Sequence, residues 1–181
     1  MHAVKALPDG FDPDLLVPTF AAAWGLEART ADYLAVGFGS YHWRVTTTDT
    51  DTVNETATNQ YFVTVDDLDR KPWLGHDRDT AFDGLGHALD TAHALQMRSK
   101  LPFVLAPIPN TQAQSVTRLD DRYAVAVYPF IDGVAGHFGQ ELTTEENGDI
   151  INMLARLHQA DPVGTGTRVD QPFPDRAIVE T

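Results

Sequence analysis

The sequence predicts an α+β fold: a mainly antiparallel five-stranded sheet carrying one long helix on a face, followed by the first helix of a second, helical lobe. Three observations predict it. Runs rich in β-branched and aromatic residues follow one another across short turns, as hairpin-linked strands do. A single long amphipathic segment interrupts them. The regular strand–helix alternation of a doubly wound parallel sheet is absent.

From the N-terminus, 12–25 reads as a helix, with Leu15, Leu16, Phe20, Ala23 and Trp24 on one face, Pro13 in the first turn and Gly25 as the stop. Pro18 sits awkwardly inside it and suggests a separate first turn. Strands are expected at Tyr33–Phe38, Trp43–Thr48 and Tyr61–Val65, the first two joined as a hairpin near Gly39-Ser40. The polar stretch 49–59 reads as an exposed loop.

The segment Asp79–Met97 repeats apolar residues at helical spacing through Phe82, Leu85, Leu89 and Ala92. Gly84 and Gly86 each weaken that helix by about 1 kcal/mol relative to Ala, which points to close packing or a loosely held first turn. Two further strands are expected at Phe103–Ile108 and Tyr123–Phe130, with a short one, Ser115–Leu119, pairing across Asp120-Asp121. Pro129 and the 132–139 segment break regularity and mark a boundary between lobes. The reading is thus a lobe over 1–130, a linker over 131–142, and helical structure from 143 to 181. Thr143 and Glu146 have capping-box spacing at the start of a helix ending near Ala160.

Thirteen basic against 26 acidic residues give a net charge of −13. Phosphate-backbone binding needs clustered Lys and Arg, so a nucleic-acid partner is not expected; an acidic surface concentrates cationic ligands instead. There is no cysteine, hence no disulfide and no thiolate metal site. No apolar run is long enough for a membrane span and no signal peptide is visible at the start, so a cytoplasmic location is expected. His87 and His93 lie six apart, the wrong spacing for a helical metal pair.

The candidate chemistry begins at Gly37-Phe38-Gly39-Ser40. Two glycines at a hairpin tip let backbone N–H groups approach a phosphate without Cβ obstruction, although a Gly-x-Gly tip is as often a plain turn. A strand follows, which excludes a dinucleotide-binding fingerprint.

Five pieces in order then carry a resemblance. They are Gly37 through Val45, Tyr61 through Asp67, Phe103 through Pro109, Val127 through Gly133, and Leu154-Ala155-Arg156-Leu157-His158. Together they resemble the kinase-like aminoglycoside phosphotransferase family, particularly its spectinomycin phosphotransferase type, over roughly residues 30–160. The resemblance implies a protein-kinase-like small lobe and an ATP-dependent transfer of phosphate to a hydroxyl of a small molecule, with a cationic acceptor favoured by the charge. It implies that Gly37, Phe38, Gly39, Ser40 and Tyr41 lie over the phosphates. Tyr128, Phe130 and Ile131 would form the hinge at the adenine edge, with Val36, Val63 and Phe130 against the ring; ordinary sheet packing is the alternative for Val36 and Val63.

The chain also departs from that pattern. Where the family's third strand carries a phosphate-gripping lysine stands Thr64, which can donate a hydrogen bond but no charge. No glutamate occurs between Glu55 and Glu141 to pair with such a lysine. Arg44 or Lys71 could supply the charge, against a plain surface role for each. Asp83 and Asp90 could stand in for the glutamate, against a solvated surface role. No His-Gly-Asp with a following Asn, and no metal-binding Asp in its motif, appears after His158. Catalytic residues and Mg2+ are therefore expected only in an intact parent, of which this chain would be a fragment unless it is a natural truncation. The chain by itself is expected to transfer no phosphate and to bind ATP in the millimolar range at best. Two other classes remain open: a non-catalytic kinase-like nucleotide- or partner-binding lobe, and an unrelated α+β binding protein.

Overall fold

The computed structural model describes residues 7, 11–37, 39–48, 58–133, 136 and 139–160. Phe38, most of the polar stretch 49–59, part of the 132–139 break and the 161–181 segment lie outside the described residues. A 3-10 turn, Pro13–Leu15, leads into α1, Leu16–Trp24. The separate first turn that Pro18 suggests is therefore present. Pro18 falls in the first turn of α1, where the backbone N–H has no intrahelical acceptor to lose. Gly25 ends the helix in the left-handed conformation at φ 69°.

Five antiparallel strands follow: β1 Ala28–Leu34, β2 Tyr41–Thr48, β3 Thr58–Asp67, β4 Thr117–Arg118 and β5 Tyr123–Pro129. Their order across the sheet is β1-β2-β3-β5-β4. Two expected strands are corrected. β1 lies earlier than Tyr33–Phe38, because Val36, Gly37, Gly39 and Ser40 belong to the link between β1 and β2. Its exposed positions Arg29 and Thr30 suit an edge strand but give a weak apolar signal. Phe103–Ile108 is not a strand: Pro102, Pro107 and Pro109 have no N–H to donate, and a lone bond from Ile108 N to the Val127 carbonyl, 2.7 Å, ties it to β5. The fifth strand is β4 instead.

Strand alternation divides the sheet into two faces. Trp43, Val45, Val63, Val65, Tyr123, Val125 and Val127 point to one face and bury Leu16, Phe20 and Trp24 of α1. Full burial of an apolar side chain contributes about 1.5–3 kcal/mol. The Trp24 indole N–H donates to the Ile108 carbonyl at 2.9 Å, which fixes the irregular 101–109 segment at the sheet's end.

Helix α2, Arg78–Met97, serves the opposite face, where Ala81 and Leu85 pack with Leu68, Val116 and Ala124. Asp77 and Thr80 close a reciprocal capping box at its start. Gly84 is explained by close approach: a Cβ there would collide with the Leu74 carbonyl oxygen. Helix α3, Thr144–Gln159, is capped by Thr143 and Glu146, and its Ile150, Ile151 and Leu154 stand exposed. Its Arg156 lies over the Phe103 ring at 5.1 Å. Among the described residues no helix is long and apolar enough to cross a membrane.

Candidate functional site

The link between β1 and β2 turns on two glycines of positive φ, Gly37 at 78° and Gly39 at 81°, a backbone region costly to residues with a Cβ. Two side chains of the α2 face hold this link in place. The His42 ring abuts Gly37 and its Nδ1 lies 2.8 Å from the Val36 carbonyl oxygen. A carbonyl can only accept, so Nδ1 carries the proton. Burial pushes the His42 imidazole below its ordinary pKa, and the Val36 carbonyl and Asp66 oppose that shift in part.

Asp66, near the end of β3, is the second anchor. Its Oδ1 accepts from Ser40 Oγ and from Lys71 Nζ, the latter at 2.8 Å. Lys71 also donates to the Gly39 carbonyl at 3.2 Å. The sequence explains how Lys71 arrives there. Asp67 caps a 3-10 turn, Leu68–Arg70, and the buried Leu68 fixes that turn against α2, so the chain reverses and returns Lys71 to the strand it has just left. Lys71 is 7% exposed and Asp66 5%. A charge so buried is costly unless paired and hydrogen-bonded, and both conditions are met.

The same face continues along β3 away from the loop. Phe62 stacks on His42 with centroids 4.9 Å apart. Thr64 lies between Phe62 and Asp66 on this face, and its Oγ1 is buried with no hydrogen-bond partner of good geometry. Tyr128 pairs with Phe62 across β3 and β5. Its hydroxyl is pushed up to about 12, by burial first and the Asp66 carboxylate second, while its contact with Thr64 pulls the other way. Beyond it the Phe130 N–H reaches the Gln60 carbonyl at 3.4 Å, and Ile131 is 65% exposed as the chain leaves the sheet. From Phe62 to Asp66 the face spans about 13 Å at the usual strand rise of roughly 3.3 Å per residue.

The structure thus brings Gly37, Gly39 and Ser40 together with Lys71, and sets Thr64 beside Tyr128. Phe130 and Ile131 lie at the other end of the face. The Tyr41 ring turns away into the α1 core, leaving only its backbone on the loop side. Val63 takes the ordinary sheet packing: it is fully buried against α1, because β alternation places it on the face opposite Thr64. Val36 is exposed beside the loop. Arg44 is half-exposed and paired with Asp32 at 3.7 Å. Asp83 and Asp90 are exposed on α2 and line a shallow surface hollow with His87, and the carboxylate paired with Lys71 is that of Asp66.

Sequence reasoning missed Asp66, His42 and Phe62 as neighbours of the loop. Alternation from Thr64 would have put Asp66 and Phe62 on its face. Among the described residues, no three His, Asp or Glu side chains are grouped to hold a metal ion.

No protein-family model matches the chain, and no curated protein matches it in sequence. Among solved structures it is similar to the crystal structure of a spectinomycin phosphotransferase in complex with ADP and spectinomycin, with a TM-score of 0.58 and 16% identity. The match covers 84% of this chain and 39% of that one, so the chain spans well under half of the enzyme it resembles. With its five-stranded antiparallel sheet and α2, the chain has the fold of a kinase-like small lobe of the aminoglycoside phosphotransferase type.

Proposed function

We propose that this chain is the nucleotide-binding lobe of an ATP-dependent phosphotransferase of the aminoglycoside phosphotransferase type, which in an intact parent transfers phosphate to a hydroxyl of a small molecule. One observation carries the reading. A single sheet face runs from an aromatic patch beside the strand that leads into 130–131 to a glycine turn with a buried cation at its base. That is the order of groups an adenine nucleotide requires, ring to phosphates, and the structural neighbour holds ADP.

In this reading the backbone of Gly37 to Tyr41, with Phe38 and Ser40, lies over the phosphates, and Thr64 contributes a hydroxyl donor beneath them. Tyr128, Phe130 and Ile131 present the adenine edge with backbone groups and apolar surface. The catalytic base and the Mg2+ ligands belong to the parent's other lobe, and the metal would there neutralise phosphate charge. The net charge of −13 favours a cationic acceptor.

Titration of the 15N-labelled chain with ADP and ATP tests this. Amide shifts confined to residues 36–42, 64 and 128–131, with a dissociation constant of about 1 mM, are expected; that is equivalent to roughly −4 kcal/mol. Unperturbed amides in this strip at saturating nucleotide would overturn the proposal.

A further inference from the structure

We propose that Lys71, held in place by Asp66, is the cation that grips the nucleotide phosphates, so that the task absent from Thr64 has moved to the turn after β3. The inference rests on the nucleotide reading above. Removing two charges from water costs several kcal/mol per ion, and an apolar pair of similar size often serves stability as well. A buried Lys–Asp pair is therefore poorly explained by stability alone, and its place supplies the explanation. Asp66 is two residues beyond Thr64 on the same strand face, and its carboxylate binds Lys71 Nζ at 2.8 Å and the Ser40 hydroxyl. Lys71 in turn touches the Gly39 carbonyl at 3.2 Å.

An ammonium has three donors. Asp66 and Gly39 take two, and the third is left for a ligand oxygen. The Gly39 carbonyl is the partner most easily exchanged for phosphate, since it belongs to an open turn where an added Cβ would meet nothing within 4 Å. Asp66 then acts as a positioning residue: it fixes the ammonium beside the glycine turn. In a protein kinase the strand lysine takes its carboxylate from a helix, so that the helix position controls the grip. Here both members lie within Asp66–Lys71, and no residue of α2 supplies the carboxylate.

The test compares ADP with adenosine, which shares the ring and sugar but lacks phosphate, on the full chain and on Lys71→Met, Lys71→Arg and the charge-neutral double variant Asp66→Asn/Lys71→Met. The wild-type chain is expected to bind ADP at least about tenfold tighter than adenosine. Lys71→Met and the double variant should lose that advantage with adenosine affinity unchanged, and Lys71→Arg should retain part of it. If Lys71→Met fails to fold, as read by circular dichroism, the double variant decides, because it leaves no unpaired charge. An ADP advantage that survives in the folded double variant overturns the proposal, as does a wild-type chain that binds adenosine and ADP equally. A chain that binds neither overturns the nucleotide reading itself, and the two failures are thereby told apart.

Discussion

The His42 ring lies so close to Gly37 that a Cβ added there would stand 2.6 Å from its Cε1. The ring cannot easily yield, because Phe62 stacks on one of its faces and Nδ1 is tied to the Val36 carbonyl. Gly37→Ala therefore meets two penalties: a left-handed φ, costing about 1–2 kcal/mol, and a clash with a fixed ring. Gly39→Ala meets only the first, since its surroundings are open. Urea denaturation should show a loss of about 2–3 kcal/mol for Gly37→Ala and about 1 kcal/mol for Gly39→Ala. Equal losses would mean that the His42 contact contributes nothing.

The same imidazole makes the lobe sensitive to pH. Burial lowers the folded-state pKa of His42 below its ordinary 6.5. The unfolded chain then binds the proton more readily, so stability rises with pH in this range. The contribution is fully present above pH 6.5 and is lost as the pH falls from there through the depressed folded value. Thermal melts from pH 7.5 down to 5 should show a progressive loss of stability that His42→Gln flattens. Carboxylates whose folded pKa is lowered, such as Asp69 by Arg78 and Glu146 by the Thr143 N–H, lose their contribution only at more acid pH. An unchanged slope in His42→Gln would assign the effect to another group.

Asp67, which alternation turns away from Asp66, carries a structural ion pair. Arg122 forks onto it, Nε to Oδ1 at 2.9 Å and Nη2 to Oδ2 at 2.6 Å, and joins the end of β3 to the turn before β5. Asp67 is 2% exposed, whereas a third of the Arg122 side chain meets solvent. Truncating Arg122 leaves a buried carboxylate whose remaining partners are the Asp69 N–H and the exposed Arg70. Arg122→Ala should cost about 2–3 kcal/mol, below the roughly 3–5 kcal/mol of a fully buried pair. Arg122→Lys should recover part of it, because a lysine keeps the charge but not the fork. Denaturation midpoints within experimental error of wild type would show the pair to be idle.

Much of this arrangement is legible in the sequence, and its gaps have physical causes. α2 announces itself by helical spacing and α3 by its capping box as well, and β2, β3 and β5 by alternating Val, Tyr and Trp. β1 is hard to place because an edge strand with Arg29, Thr30 and Asp32 among its seven residues has little apolar signal. The Phe103–Ile108 run has strand composition, but its prolines forbid a ladder, and composition alone does not weigh that. The glycine turn and Thr64 follow from order along the chain. Lys71 could be singled out only as a charge near the end of a strand. Its pairing with Asp66 depends on the 3-10 turn that reverses the chain, and no local pattern reports where such a turn returns a side chain.

Thr64 should show a trade between stability and binding. Its Oγ1 is buried and has no hydrogen-bond partner of good geometry, and such a group costs about 1–3 kcal/mol against an apolar equivalent. Valine has the same shape and suits a strand, so Thr64→Val should fit β3 without rearrangement. We expect a gain of about 0.5–1 kcal/mol, equivalent to a melting temperature higher by roughly 1–4 °C for a chain of this size. If the hydroxyl is kept for a phosphate oxygen, the same substitution should weaken ADP binding several-fold and leave adenosine unaffected. A drop in melting temperature would show that the contact with Tyr128 is a hydrogen bond of consequence after all. A higher melting temperature with unchanged ADP affinity would remove Thr64 from the phosphate site while leaving Lys71 and the glycine turn in place.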